Sequence, residues 1–123
     1  MSATRLLLVL AGLMGATGVV FAALASHAYA GTNLPVAATM LSLQAPAVMA
    51  LAIGRKAGLM HDLAARIAAW TLITGTILFC GDLAMRAFAG TGLFPMAAPT
   101  GGSLMIAGWV GAAVAGAMGG RST

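Results

Sequence analysis

Carboxylates are nearly absent from this 123-residue chain, which has two, Asp62 and Asp82, beside six lysines and arginines; charged residues of either sign make up 7% of it. A water-facing domain needs about a quarter of its residues charged, so an ordinary soluble surface is excluded. Cysteine is scarcer still. With Cys80 alone there is neither an intrachain disulfide nor a Cys-x-x-Cys redox pair, and a small apolar packing role is what remains for it. The basic residues are dispersed and none stands in a cluster with aromatics, which argues against a nucleic-acid partner. No glycine-rich phosphate loop follows a strand pattern.

What the chain does have is apolar length. Hydrophobic residues make up 61% of it and its mean hydropathy is +1.02. The run from Leu6 to Ser26 is uncharged, and a bilayer core about 30 Å thick asks for about 20 residues at 1.5 Å each. Further runs cover 34–54, 67–81 and 87–120, the last divided by Gly90, Gly92, Pro95, Pro99 and Gly101-Gly102. The pattern predicts an all-α fold: a four-helix transmembrane bundle forming one integral membrane domain over 1–123, with helices at about 6–26, 36–53, 63–87 and 101–118. Arg5, the apolar stretch and Ala28-Tyr29-Ala30 also resemble a secretory signal with its cleavage site. The stretch is too long for a signal core, however, and Gly12, Gly15 and Gly18 give it a small-residue face suited to helix contact. A retained first helix is the expectation.

Pro35 is preset for the start of helix two, whereas Pro46 inside that helix frees the Ser42 carbonyl and should kink it. Gln44 should face protein. The segment 54–66 reads as an aqueous loop, with Asp62 pairing Arg66 at i,i+4 and His61 solvated. Arg5, Arg55, Lys56, Arg66 and Arg121 fall on one side of the membrane and Arg86 alone on the other, which predicts cytoplasmic termini. His27 and His61 then lie on opposite sides and cannot share a metal. Nine methionines in so apolar a chain read as packing material. No metal or cofactor is expected. A Ser26-His27-Asp82 hydrolytic arrangement fails on geometry, because adjacent helical residues point about 100° apart.

Two features bear on function. In helix four and just past it Gly108, Ala112, Gly116 and Gly120 repeat every fourth residue, a ladder that lets another helix approach closely, either within the chain or from a second protein. On the outer side His27, Gln44, Asp82 and Arg86 could form a polar cluster, with Asp82 and Arg86 paired at i,i+4. The outer loops also match: His27-Ala-Tyr-Ala-Gly-Thr-Asn-Leu-Pro35 aligns with Arg86-Ala-Phe-Ala-Gly-Thr-Gly-Leu-Phe-Pro95. This predicts two parallel helical-hairpin repeats about an axis along the membrane normal, with His27 and Arg86 in equivalent places.

Ser26-His27-Ala28, Phe79-Cys80-Gly81-Asp82-Leu83, and Pro99-Thr100-Gly101-Gly102 followed by Gly108-Trp109 together resemble the small inner-membrane family known as domain of unknown function 423. The resemblance spans nearly the whole chain. It implies a four-helix protein of the bacterial inner membrane with relatives in eukaryotic organelles, and no established reaction. The departures are Gln44, near a place where members carry a histidine, and Asp82, where they carry a serine. The expectation is a non-catalytic accessory or interaction subunit whose partners are the lipid bilayer and another membrane protein or a second copy. The alternative is a small-solute or proton-conducting protein built on the outer polar cluster.

Overall fold

The computed structural model describes residues 1–120. Four helices follow one another, α1 (Ala3–His27), α2 (Leu34–Lys56), α3 (Asp62–Ala89) and α4 (Ala97–Met118), with no strand among the described residues. Each is long and apolar enough to cross a bilayer, which is the build of a multi-pass membrane protein.

The helices overrun their predicted bounds for local reasons. Ser2 caps α1, its Oγ accepting from the Arg5 N–H at 3.2 Å. Arg55 and Lys56 form the last turn of α2 instead of an aqueous loop, where positive charge meets the negative end of the helix dipole. Pro99 lies in the first turn of α4, where a backbone N–H has no helical partner to lose, so α4 starts at Ala97 and not Gly101. His61, expected to be merely solvated, caps α3 by accepting from the Ala64 N–H at 3.2 Å through Nδ1. Helix α2 continues through Pro46 to Lys56.

Packing follows chain order: α1 lies on α2, α2 on α3, and α3 on α4. The inner pair α2 and α3 is 44% buried across its spanning windows and the outer pair α1 and α4 only 22%. Most of the surface that meets the surroundings therefore belongs to α1 and α4. Leu7, Leu34, Val48 and Leu72 are fully enclosed.

The tightest contact is between α3 and α4, and glycine makes it. A Cβ added at Gly101 would stand 2.5 Å from the Phe79 backbone nitrogen and 2.6 Å from the Gly75 carbonyl oxygen. One at Gly108 would meet Leu72 Cδ2 at 2.6 Å. The α1–α2 contact uses Gly18, whose missing Cβ would stand 3.2 Å from Leu41 Cβ.

The two hairpins exist, α1 with α2 and α3 with α4, but the predicted axis does not relate them. A twofold along the bundle would press α1 on α4 as α2 presses on α3, and α1 and α4 form no such interface. Aligned residues do meet at the end that carries the α1–α2 and α3–α4 loops: the Tyr29 and Phe88 rings pack edge to face with centroids 5.0 Å apart. Phe88 also packs on Phe21 at 5.8 Å, so this end is closed by three aromatics.

Candidate functional site

The last turns of α3 and the loop after it build one polar site around Asp82. Gly90 ends α3 in the left-handed conformation, φ 79°, which reverses the chain at little cost because glycine has no Cβ. The loop then folds back along the helix it has left. Leu93 donates its backbone N–H to Asp82 Oδ1 at 2.8 Å, and Arg86 donates Nε to Oδ2 at 2.9 Å. Gly92 passes so close that a Cβ there would fall onto Asp82 Oδ1 and lie 2.8 Å from Arg86 Nη2. Asp82 is 1% exposed, while the Arg86 side chain is 57% exposed. The carboxylate is thus occupied on both oxygens, by a cation one helical turn on and by the loop backbone. It acts as the anchor of the loop.

A second polar contact lies at mid-depth. Trp109 of α4 donates its indole N–H to Gln44 Oε1 of α2 at 2.9 Å, across the α3 helix that separates the two in packing order. Gln44 is 4% exposed and Trp109 49%. The sequence pointed to Gln44 as protein-facing; it gave Trp109 no role.

The four residues proposed as one outer cluster are therefore distributed. Asp82 and Arg86 are paired, Gln44 is engaged with Trp109, and His27 is exposed at the end of α1, making no hydrogen bond or ion pair among the described residues. Among the described residues no group of three His, Cys, Asp or Glu side chains converges. Cys80 is buried and its Sγ lies 3.4 Å from the Ala37 carbonyl oxygen, tying α3 to α2.

At the opposite end stands a residue that sequence reasoning passed over. Arg55, whose side chain is 13% exposed, places Nη2 2.7 Å from Asp62 Oδ1, donates Nε to the same oxygen at 2.7 Å and donates Nη1 to Thr4 Oγ1. It joins the start of α1, the end of α2 and the start of α3. Asp62 and Arg66, the expected pair, are 4.0 Å apart, at the limit of an ion pair. The His61 N–H adds a bond to the Ala115 carbonyl oxygen at 3.0 Å, bringing the end of α4 to the same place. Because Asp62 is 59% exposed, solvent screens the pair, and Arg55→Ala is expected to lower stability by about 1 kcal/mol. Arg66→Ala is expected to change it by less than about 0.5 kcal/mol. Thermal unfolding of the two variants in one detergent checks the order.

The expected packing glycines also divide. Gly108 is wedged against Leu72, a Cβ at Gly15 would reach Ala45 Cβ at an ordinary 3.8 Å, and a Cβ at Gly12 or Gly116 would meet nothing within 4 Å. Ala112 is half-buried against the core. The ladder of α4 is used inside the chain at its first rung and left open at Gly116.

A family model described as "Protein of unknown function (DUF423)" matches residues 14–102, a span that holds the Asp82 anchor, Gln44, and Gly75 and Gly101 of the closest α3–α4 approach. No curated protein and no solved structure matches the chain.

Proposed function

We propose that this chain, which belongs to the DUF423 family of proteins of unknown function, is a non-catalytic accessory or interaction subunit that packs in the bilayer against another membrane protein or a second copy of itself. The observation that carries the reading is the open face of the outer helices. Helix α4 is apolar all round, exposing Ile106, Val110 and Val114 on one side, and Gly116 on another side of it has nothing nearby. A small residue with no neighbour gives another helix backbone room to approach. The polar residues support the same reading, because Asp82 and Arg86 serve the loop and Gln44 serves α4, so no run of polar groups leads from one to the next as conduction would need.

The termini belong in the cytoplasm in this reading, in the bacterial inner membrane. Arg55 and His61 gather the start of α1, the 57–61 turn and the end of α4 at one end, and that end holds the basic residues Arg5, Arg55, Lys56 and Arg66, while Arg121 lies outside the described residues.

Gly116→Leu tests the interaction. Its fold should be intact, with stability within about 0.5 kcal/mol of the parent, while the dimer fraction or the yield of a stoichiometric partner in mild detergent falls by about tenfold. A parent chain that is monomeric in native-lipid extracts and carries no stoichiometric partner would overturn the reading.

A further inference from the structure

Gln44 has a polar group to spare at a depth where that is expensive. The indole N–H of Trp109 can only donate, so the Gln44 amide must turn its oxygen to it and its NH2 away. That nitrogen then has two hydrogens to give, and it makes no hydrogen bond among the described residues. It is not sealed in either, since the only fully enclosed, unpartnered side-chain atom among them is Arg66 Nε. Gln44 and Trp109 stand in the middle of their spans, about 15 Å from either edge of the hydrocarbon. Water is scarce there, and an unmatched amide donor costs several kcal/mol in a medium that cannot hydrogen-bond.

Gln44 lines a groove of about 460 Å³ between α2, α3 and α4, with Met40, Phe79, Met105 and Trp109 around it, Gly102 on its wall and Ile106 and Val110 beside it. This has the composition of a small-molecule site: apolar and aromatic surface, one placed polar group, and a volume within the usual range of about 300–1,000 Å³. What fills it must carry a hydrogen-bond acceptor to mid-depth. Phospholipid ester carbonyls stay near the interface, about 15 Å away. A polar side chain of a second helix is also poorly placed, because Gln44 is 4% exposed and leaves little surface for a helix to reach. The half-exposed indole and the Phe79 ring offer flat faces for stacking.

We propose that this groove binds a neutral, membrane-dissolved ring carbonyl compound of the quinone class, its carbonyl oxygen accepting from the Gln44 amide and its ring lying against Trp109. The site lies away from Gly116 but shares Ile106 and Val110 with the exposed surface of α4.

Trp70→Phe leaves Trp109 as the sole tryptophan, so a decyl-substituted benzoquinone can be titrated into that protein in phosphatidylcholine nanodiscs while Trp109 emission is followed. Quenching should saturate, and Gln44→Leu should raise the apparent Kd by about tenfold or more. Gly102→Leu supplies a second variant that leaves Gln44 in place. A Cβ there meets Phe79 Cδ1 at 3.9 Å, an ordinary contact, so the fold has room while the added side chain fills the groove; saturable quenching should be lost. Decylbenzene, which lacks the carbonyl, should compete at least about tenfold more weakly. Quenching that rises linearly and equally in all variants would overturn the proposal. So would equal competition by decylbenzene, which would make the occupant any hydrocarbon chain, or a saturable signal that depends on protein density in the bilayer, which would make it a second copy.

Discussion

Gly101→Leu is expected to pull α3 and α4 apart. The new Cβ would meet the Phe79 nitrogen and the Gly75 carbonyl oxygen at 2.5 and 2.6 Å, and backbone atoms inside two helices cannot swing aside as a side-chain tip can. The rest of the leucine makes the clash worse. Overpacking costs about 1–3 kcal/mol and occasionally more, and a clash of backbone on backbone belongs at or above the top of that range. The damage should spread, because opening the seam uncovers Leu72, which is fully buried and in contact with Gly108. Even Gly101→Ala should destabilise, while Gly116→Leu should not. A thermal unfolding series in a single detergent reads all three. A Gly101→Leu protein that melts with its parent would mean that α3 and α4 do not approach this closely in the membrane.

Asp82→Ala should release the loop over 90–96. The substitution removes the acceptor for the Leu93 N–H and the partner of Arg86 together, leaving a backbone donor with nothing to bond and a cavity where Gly92 had been pressed against the carboxylate. Protease cleavage within the loop, in protein held in detergent, should rise several-fold, because cleavage follows the population of the opened state. Asp82→Asn keeps an oxygen for Leu93 and loses only the charge, so it should fall between the parent and Asp82→Ala. That ordering separates a loop anchor from a proton-handling carboxylate. If asparagine were as damaging as alanine, the charge itself would be the requirement and the conduction reading would regain ground.

How much of this was legible depended on the range of each interaction. The four spans were plain, because length and hydropathy are local sums, and the Asp82–Arg86 pair was plain because i,i+4 neighbours share a helix face whatever else the chain does. Small corrections such as Pro99 inside α4 come from the latitude a first turn allows. Contacts between distant segments were another matter. Nothing in the spacing of Gln44 and Trp109 says that they meet, nor that Arg55 would take Asp62 away from Arg66, since both depend on how helices rotate against one another. The loop repeat misled for a related reason: it is a real likeness of nine or ten residues at the end that carries the α1–α2 and α3–α4 loops, and Tyr29 and Phe88 do touch there, yet the rest of the bundle is not arranged about that point. Gly12 and Gly116 look like Gly108 in sequence, and only the presence of Leu72 on one side and of nothing on the other tells them apart.

The chain-order packing of the helices bears on how the protein is made. Each helix after the first finds a packing partner already in the membrane when it emerges from the ribosome: α2 meets α1, α3 meets α2, and α4 meets α3. Helices α1 and α3 each make their larger interface with the helix that follows, so that surface stays uncovered only until the next span arrives. The last contacts come at the end of synthesis, when α4 packs on α3 and brings Trp109 to Gln44 and Ala115 to His61. Assembly is complete only when those two bonds close, which makes the arrival of the last helix the step that shapes the mid-depth groove.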